Sequence, residues 1–125
     1  MKNMILLLTG SITLILWGTA HLFPTKSVIK GFGDISIDNK NILRMEWITE
    51  GFSLIFSGTL VLLITIIGDN ENITSRIVYI ATSIFLFSMA ILSFLTGYKV
   101  NFLPYKLCPF IFSISGTMIL IGCLL

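Results

Sequence analysis

Apolar residues arrive in four long runs separated by short polar or glycine- and proline-bearing stretches, and each run is about the ~20 residues that a membrane-spanning helix needs. Met4 to Phe23 (MILLLTGSITLILWGTAHLF) is stopped by Pro24. The second run predicts a helix from about residue 40 to Ile67, with Asp38 or Asn39 as the candidate N-cap. A third span is expected over about 76–97, and a fourth over 107–125 with Pro109 in its first turn, where proline is tolerated. The pattern predicts an all-α fold: one integral membrane four-helix bundle over residues 1–125, with a long first interhelical loop.

Within the runs, the 3.6-residue period separates faces. Thr9, Thr13, Trp17 and His21 recur every fourth residue beside Gly10, a smaller and more polar stripe that should turn His21 inward. In the second run Met45, Ile48, Phe52 and Ile55 form an apolar stripe expected to face lipid. Glu46, Glu50, Ser53, Ser57, Val61 and Ile64 lie opposite it and are expected to face the bundle. The third run sets Tyr79, Ser83, Leu86, Ala90, Ser93 and Gly97 on one side, and the fourth Ser113, Gly116, Thr117 and Leu120.

Composition supports lipid as the solvent. Of the 125 residues, 55% are hydrophobic and 11% charged, against roughly 25% charged in an ordinary soluble domain. Four spans leave no room for a separate soluble domain. A net charge of +2, with the basic residues scattered through loops, excludes a nucleic-acid groove. Cys108 and Cys123, ~22 Å apart along one helix, cannot bond to each other within the chain and read as small buried residues.

The ends of the first span carry further expectations. Lys2 and the small residues Gly18-Thr19-Ala20 give a rival reading as a cleaved leader. Pro24 to Asn41 is a connection of roughly eighteen residues, turning at Gly31-Phe32-Gly33-Asp34. It is either an interfacial loop with Lys26 and Lys30 on headgroups or a lid. Connections one and three, with the start of span two, hold Lys26, Lys30, Lys40, Arg44, Lys99 and Lys106; the opposite side holds Lys2 and Arg76. The positive-inside rule places the first group in the cytoplasm and both termini outside. Asn72-Ile73-Thr74 matches a glycosylation sequon by chance.

Alternation of the spans brings Trp17, His21, Glu46, Trp47, Glu50, Tyr98, Asn101, Tyr105 and Cys108 into one leaflet. Ionisable groups within spans are costly and tend to face partners, cavities or pathways. Glu46 and Glu50 are a like-charge pair one turn apart, and Arg44 and Lys40 lie off their face. A shared proton or a group from another segment must compensate them, and His21 is the nearest chemical candidate. The candidate ligand-binding set is therefore His21, Glu50, Glu46, Trp17, Trp47, Ser53 and Ser57. The tryptophans have a plainer role as interfacial anchors, Glu46 as a carboxylate in reach of water or a loop lysine, and His21 as an interior histidine.

No cofactor or metal is expected. A single histidine argues against bis-histidine haem, and neither an HExxH motif nor a cysteine partner is present for zinc. There is no phosphate loop and no nucleophile elbow.

WGTAH, GFGDIS and EWITEGFSLIFSG resemble what small four-helix bacterial membrane proteins of unknown function carry, and in size and span number the chain resembles the DoxX-like group. The resemblance implies an accessory protein of the bacterial inner membrane, sometimes linked to quinone-dependent respiration. The residues leave three roles open. One is a binding protein whose His/Glu pocket holds a small amphipathic ligand, a lipid, a quinone or a partner helix, with a homodimer through glycine-bearing faces. The second is a membrane enzyme using Glu50, Glu46 and His21 for acid-base chemistry on a lipid-soluble substrate. The third is an assembly subunit in which the cluster only anchors helices.

Overall fold

The computed structural model describes residues 3–125. Lys2, on which the leader reading and part of the outer positive charge rest, lies outside the described residues. Helices follow in the order α1 (Met4–Leu22), α2 (Thr25–Gly31), α3 (Ile37–Ile67), α4 (Ile73–Leu95), a 3-10 turn (Gly97–Lys99) and α5 (Leu103–Leu124). Four of the stretches, Met4–Leu22, Ile37–Ile67, Ile73–Lys99 and Leu103–Leu124, are long and apolar enough to cross a membrane. The chain is a multi-pass membrane protein.

Three helices begin on side-chain caps that quench free N–H groups of the first turn. Asn3 accepts from Leu6 N at 3.3 Å, Ser36 from Asn39 N at 3.1 Å, and Asn72 from Thr74 N at 2.8 Å. Ser36 thus takes the cap expected of Asp38 or Asn39. Asp38 sits in the first turn instead, where its charge suits the helix dipole. At 31 residues, α3 is ~46 Å long, well beyond the ~30 Å hydrocarbon layer, so it tilts or carries its first turns into the headgroups.

The first connection contains more structure than a loop. Its residues 25–31 form α2, which packs on α3 and buries Ile29 while exposing Lys26 and Lys30. Gly33 then reverses the chain at φ 74°, a conformation that favours glycine. At the same end of the bundle α5 begins a turn earlier than the apolar run does. Pro104 is therefore the first-turn proline, and Pro109 lies inside the helix, where it cannot donate to the carbonyl of Tyr105.

The helices pack in the spatial order α3, α1, α5, α4, and α3 meets α4 only sparingly. Hydrophobic burial does not drive association in lipid, so close van der Waals approach must hold these seams. Small residues seven apart make it possible. A Cβ on Gly18 would lie 2.9 Å from Gly51 O, and one on Gly58 2.7 Å from Ser11 O. The α1 seam is Leu7, Ser11, Leu14, Gly18 and His21; the α3 seam is Trp47, Gly51, Leu54, Gly58, Val61 and Thr65. Gly10 and Gly122 serve the α1–α5 contact, and Gly116 meets Phe87 of α4. The glycine faces expected to join two copies are thus used within one chain.

Candidate functional site

The end of α1, the start of α3 and the start of α5 converge beside α2. Trp47 is the hub. Its indole stacks on the His21 ring, centroids 3.9 Å apart at 18°, and its Nε1 donates to His21 O at 2.9 Å. That carbonyl is one of the last four of α1, which have no partner within the helix, so Trp47 caps α1 from α3. Tyr105 of α5 meets the other side of Trp47 edge-on, with centroids 5.6 Å apart.

His21 is 8% exposed. Its Nε2 lies 3.5 Å from Glu50 Oε2, within ion-pair range, yet without the geometry of a hydrogen bond. Glu50 is thus the carboxylate that approaches His21, from another helix. His21 Nε2 is a buried side-chain nitrogen with no hydrogen-bond partner, and Trp17 Nε1, also buried, has no oxygen or nitrogen partner and only the weakly accepting sulfur of Cys108. Both residues line one chamber of about 100 Å³, together with Ala20, Trp47, Tyr105 and Cys108. Tyr105 also lines a larger, more open groove of about 350 Å³ under α2, walled by Val28, Phe32, Val100 and Phe102.

The structure assembles Trp17, His21, Trp47, Glu50, Tyr105 and Cys108, and leaves other members of the expected cluster outside. Glu46 is exposed, whereas Glu50 one turn further along α3 is half-buried. Tyr98 and Asn101 are exposed as well, and Tyr98 stands at the rim, where Lys106 Nζ lies 5.1 Å above its ring and donates to its carbonyl at 3.1 Å. Ser53 and Ser57 are half-buried on the flank of α3, their hydroxyls donating to Thr49 O at 2.8 Å and Ser53 O at 2.7 Å. Hydroxyls turned back onto their own helix are not aimed at a ligand.

One cause accounts for these departures. Gly51 and Gly58 let α3 approach α1 more closely than serine and glutamate could, so α3 presents its glycine face to the seam and its carboxylate side to the flank. On α1 the same logic leaves Thr9 exposed and buries Ser11 and Gly18. On α5 the buried face is Phe112, Ser115, Gly116, Ile119 and Cys123, leaving Thr117 exposed. The α4 face of Tyr79, Ser83, Leu86 and Ala90 is buried as its spacing predicts.

A second polar cluster occupies the opposite end of the bundle. Tyr79, fully buried, bonds Asn70 Oδ1 through its hydroxyl and shares a 3.2 Å hydrogen bond with Thr65 Oγ1. Asn70 Nδ2 donates to Thr65 O at 3.0 Å, and Ser75 to Asp69 O at 2.7 Å. Every hydroxyl and amide in this knot is engaged with another, so it clamps the turn between α3 and α4. Sequence reasoning missed it, although Thr65 and Tyr79 stand on either side of the Asp69–Asn72 turn.

No group of three or more His, Cys, Asp or Glu side chains converges in a metal-binding arrangement among the described residues. Cys108 and Cys123 are both buried and free. Comparison with protein-family models, with curated proteins and with solved structures finds no match.

Proposed function

We propose that this membrane protein is a binding or accessory protein whose His21 chamber holds the polar head of a small lipid-soluble molecule. The observation that carries the reading is His21 Nε2, buried without a hydrogen-bond partner beside the chamber, next to Trp17 Nε1, which has no oxygen or nitrogen partner and only the weakly accepting Cys108 sulfur. An unsatisfied buried polar group costs about 1–3 kcal/mol, and a ligand acceptor would relieve that cost. Indole is a donor only, so the head must offer an acceptor oxygen. Glu50, so close to His21, disfavours an anionic head. A neutral carbonyl or hydroxyl group, as in a quinone or an uncharged lipid, meets both demands.

Volume fits the same division of labour. About 100 Å³ is less than the cavity of about 150 Å³ that binds benzene, so a quinone would place one carbonyl edge in the chamber and keep the rest of its ring outside. The apolar remainder would lie in the 350 Å³ groove beyond Tyr105. With Glu46 exposed at the start of α3, Glu50 is the carboxylate that stands next to His21. Membership of the DoxX-like group, the bacterial inner membrane and outside termini belong to this proposal as well.

The test is ligand-dependent thermal stability of the full chain in detergent against a panel of quinones and neutral lipids. Trp17→Phe, which removes the donor and keeps a ring, should abolish a stabilising shift that the parent protein and Glu46→Gln show, and Glu50→Gln should keep that shift while admitting anionic heads as well. A panel that stabilises no form of the protein, or all of them equally, would count decisively against the chamber as a binding site.

A further inference from the structure

A different groove, on the lipid-facing side where α1 ends and α3 begins, has a composition suited to one class of lipid. It is an open groove of about 480 Å³ lined by Leu22, Phe23, Lys26, Arg44, Ile48 and Phe52, together with Thr25. Arg44, Ile48 and Phe52 are successive fourth residues of α3, so they form one line running from the helix start toward the bilayer centre. Charge is therefore confined to the mouth, and the walls below it are apolar.

We propose that this groove is a binding site for an anionic phospholipid, with the phosphate between Lys26 and Arg44 and one acyl chain along Ile48 and Phe52. Charge complementarity selects the occupant. Neither cation makes an ion pair among the described residues, and Arg44 uses one donor, Nη1, on Asn41 Oδ1 at 3.0 Å. The rest of its guanidinium fork remains for a phosphate, which arginine grips in two places and lysine meets as a point charge. Phe23, 83% exposed, and Phe52, 60% exposed, offer aromatic walls on either side. A free anion would use the mouth alone and leave the apolar walls bare, whereas a diacyl lipid uses both. Basic pockets between spanning helices are suited to anionic headgroups for this reason. The site shares no lining residue with the His21 chamber, and its occupancy is independent of the ligand proposed there.

The test reconstitutes the full chain in nanodiscs of phosphatidylcholine with phosphatidylglycerol, extracts it gently and counts retained lipids by native mass spectrometry. The parent protein should retain a phosphatidylglycerol in preference to phosphatidylcholine. Combining Lys26→Gln with Arg44→Gln should lower that retention by about tenfold, while phosphatidylcholine retention is unchanged and reports an intact fold. Lys30→Gln with Lys40→Gln removes as much charge near the same end without touching the groove, and should leave retention as it was. Equal loss in both double variants would reduce the effect to general surface charge and overturn the site, as would no loss in either. Displacement of the bound lipid by excess inorganic phosphate would overturn the assignment to a phospholipid in favour of a free anion.

Discussion

Trp47 touches His21 in two ways at once: its ring lies on the imidazole at 3.9 Å between centroids, and its Nε1 donates to the His21 carbonyl at 2.9 Å. The stack fixes the imidazole plane, and the hydrogen bond fixes the end of α1 against α3. Substituting phenylalanine separates them. Trp47→Phe keeps an aromatic face on His21 but leaves the carbonyl without its donor, which should cost about 1–3 kcal/mol of stability. Thermal unfolding in detergent would read this, and a variant as stable as the parent would show that the carbonyl finds another partner.

The seam between α1 and α3 predicts a graded glycine series. A Cβ on Gly58 would meet Ser11 O at 2.7 Å, and one on Gly18 would meet Gly51 O at 2.9 Å; both contacts are with backbone, which cannot step aside as a side chain can. Gly58→Ala and Gly18→Ala should each destabilise by about 1–3 kcal/mol. Gly31→Ala, with nothing within 4 Å of the new carbon, should be neutral or slightly stabilising. Equilibrium unfolding of the three variants checks the order, and equal effects would mean that the helices do not meet through these glycines.

The glycines also explain what the sequence could and could not disclose. Spans were legible because lipid demands long apolar runs and the breaks at Pro24 and Asp69–Asn72 are chemically plain. Helix rotation was legible only in part. Polarity pointed to Glu46, Glu50, Ser53 and Ser57 as the inner face of α3, whereas smallness decides the seam in lipid, and Gly51 and Gly58 placed Trp47 inside and Glu46 outside. The inward turn of His21 was legible because both criteria agree on it: it lies on the buried side of α1 with Ser11 and Gly18, and near it stands Glu50, the half-buried carboxylate among the described residues. The Tyr79 knot was hidden because its members come together only when the chain reverses through Asn70.

That knot carries its own prediction. Tyr79→Phe conserves the ring in a fully buried position and removes the hydroxyl that holds both Asn70 and Thr65. The loss should be about 1–3 kcal/mol, since Asn70 Oδ1 gives up its hydroxyl donor. Thr65 retains its bond to Val61 O at 2.7 Å, so Thr65→Val should cost less than Tyr79→Phe. Hydrogen exchange of the α3–α4 turn would localise the effect: faster exchange confined to that turn in Tyr79→Phe supports the clamp, and unchanged exchange there would remove its structural basis.

Tyr105 separates the two spaces on the other end of the bundle. It lines both the chamber of about 100 Å³ and the groove of about 350 Å³, and its carbonyl has lost its helical donor to Pro109. Tyr105→Ala should join the two spaces into one of ordinary ligand-pocket size, roughly 300–1,000 Å³. The expected outcome is a change in selectivity: bulkier-headed quinones gain stabilising effect relative to small-headed neutral lipids, while Tyr105→Phe, which keeps the ring as a partition, preserves the order found for the parent protein. The substitution also removes the edge contact with Trp47, so a fall in stability of the unliganded protein is expected in addition and must be measured first. If the order of ligand preference is the same in Tyr105→Ala as in the parent, Tyr105 does not divide the binding space, and head and tail do not lie on its two sides.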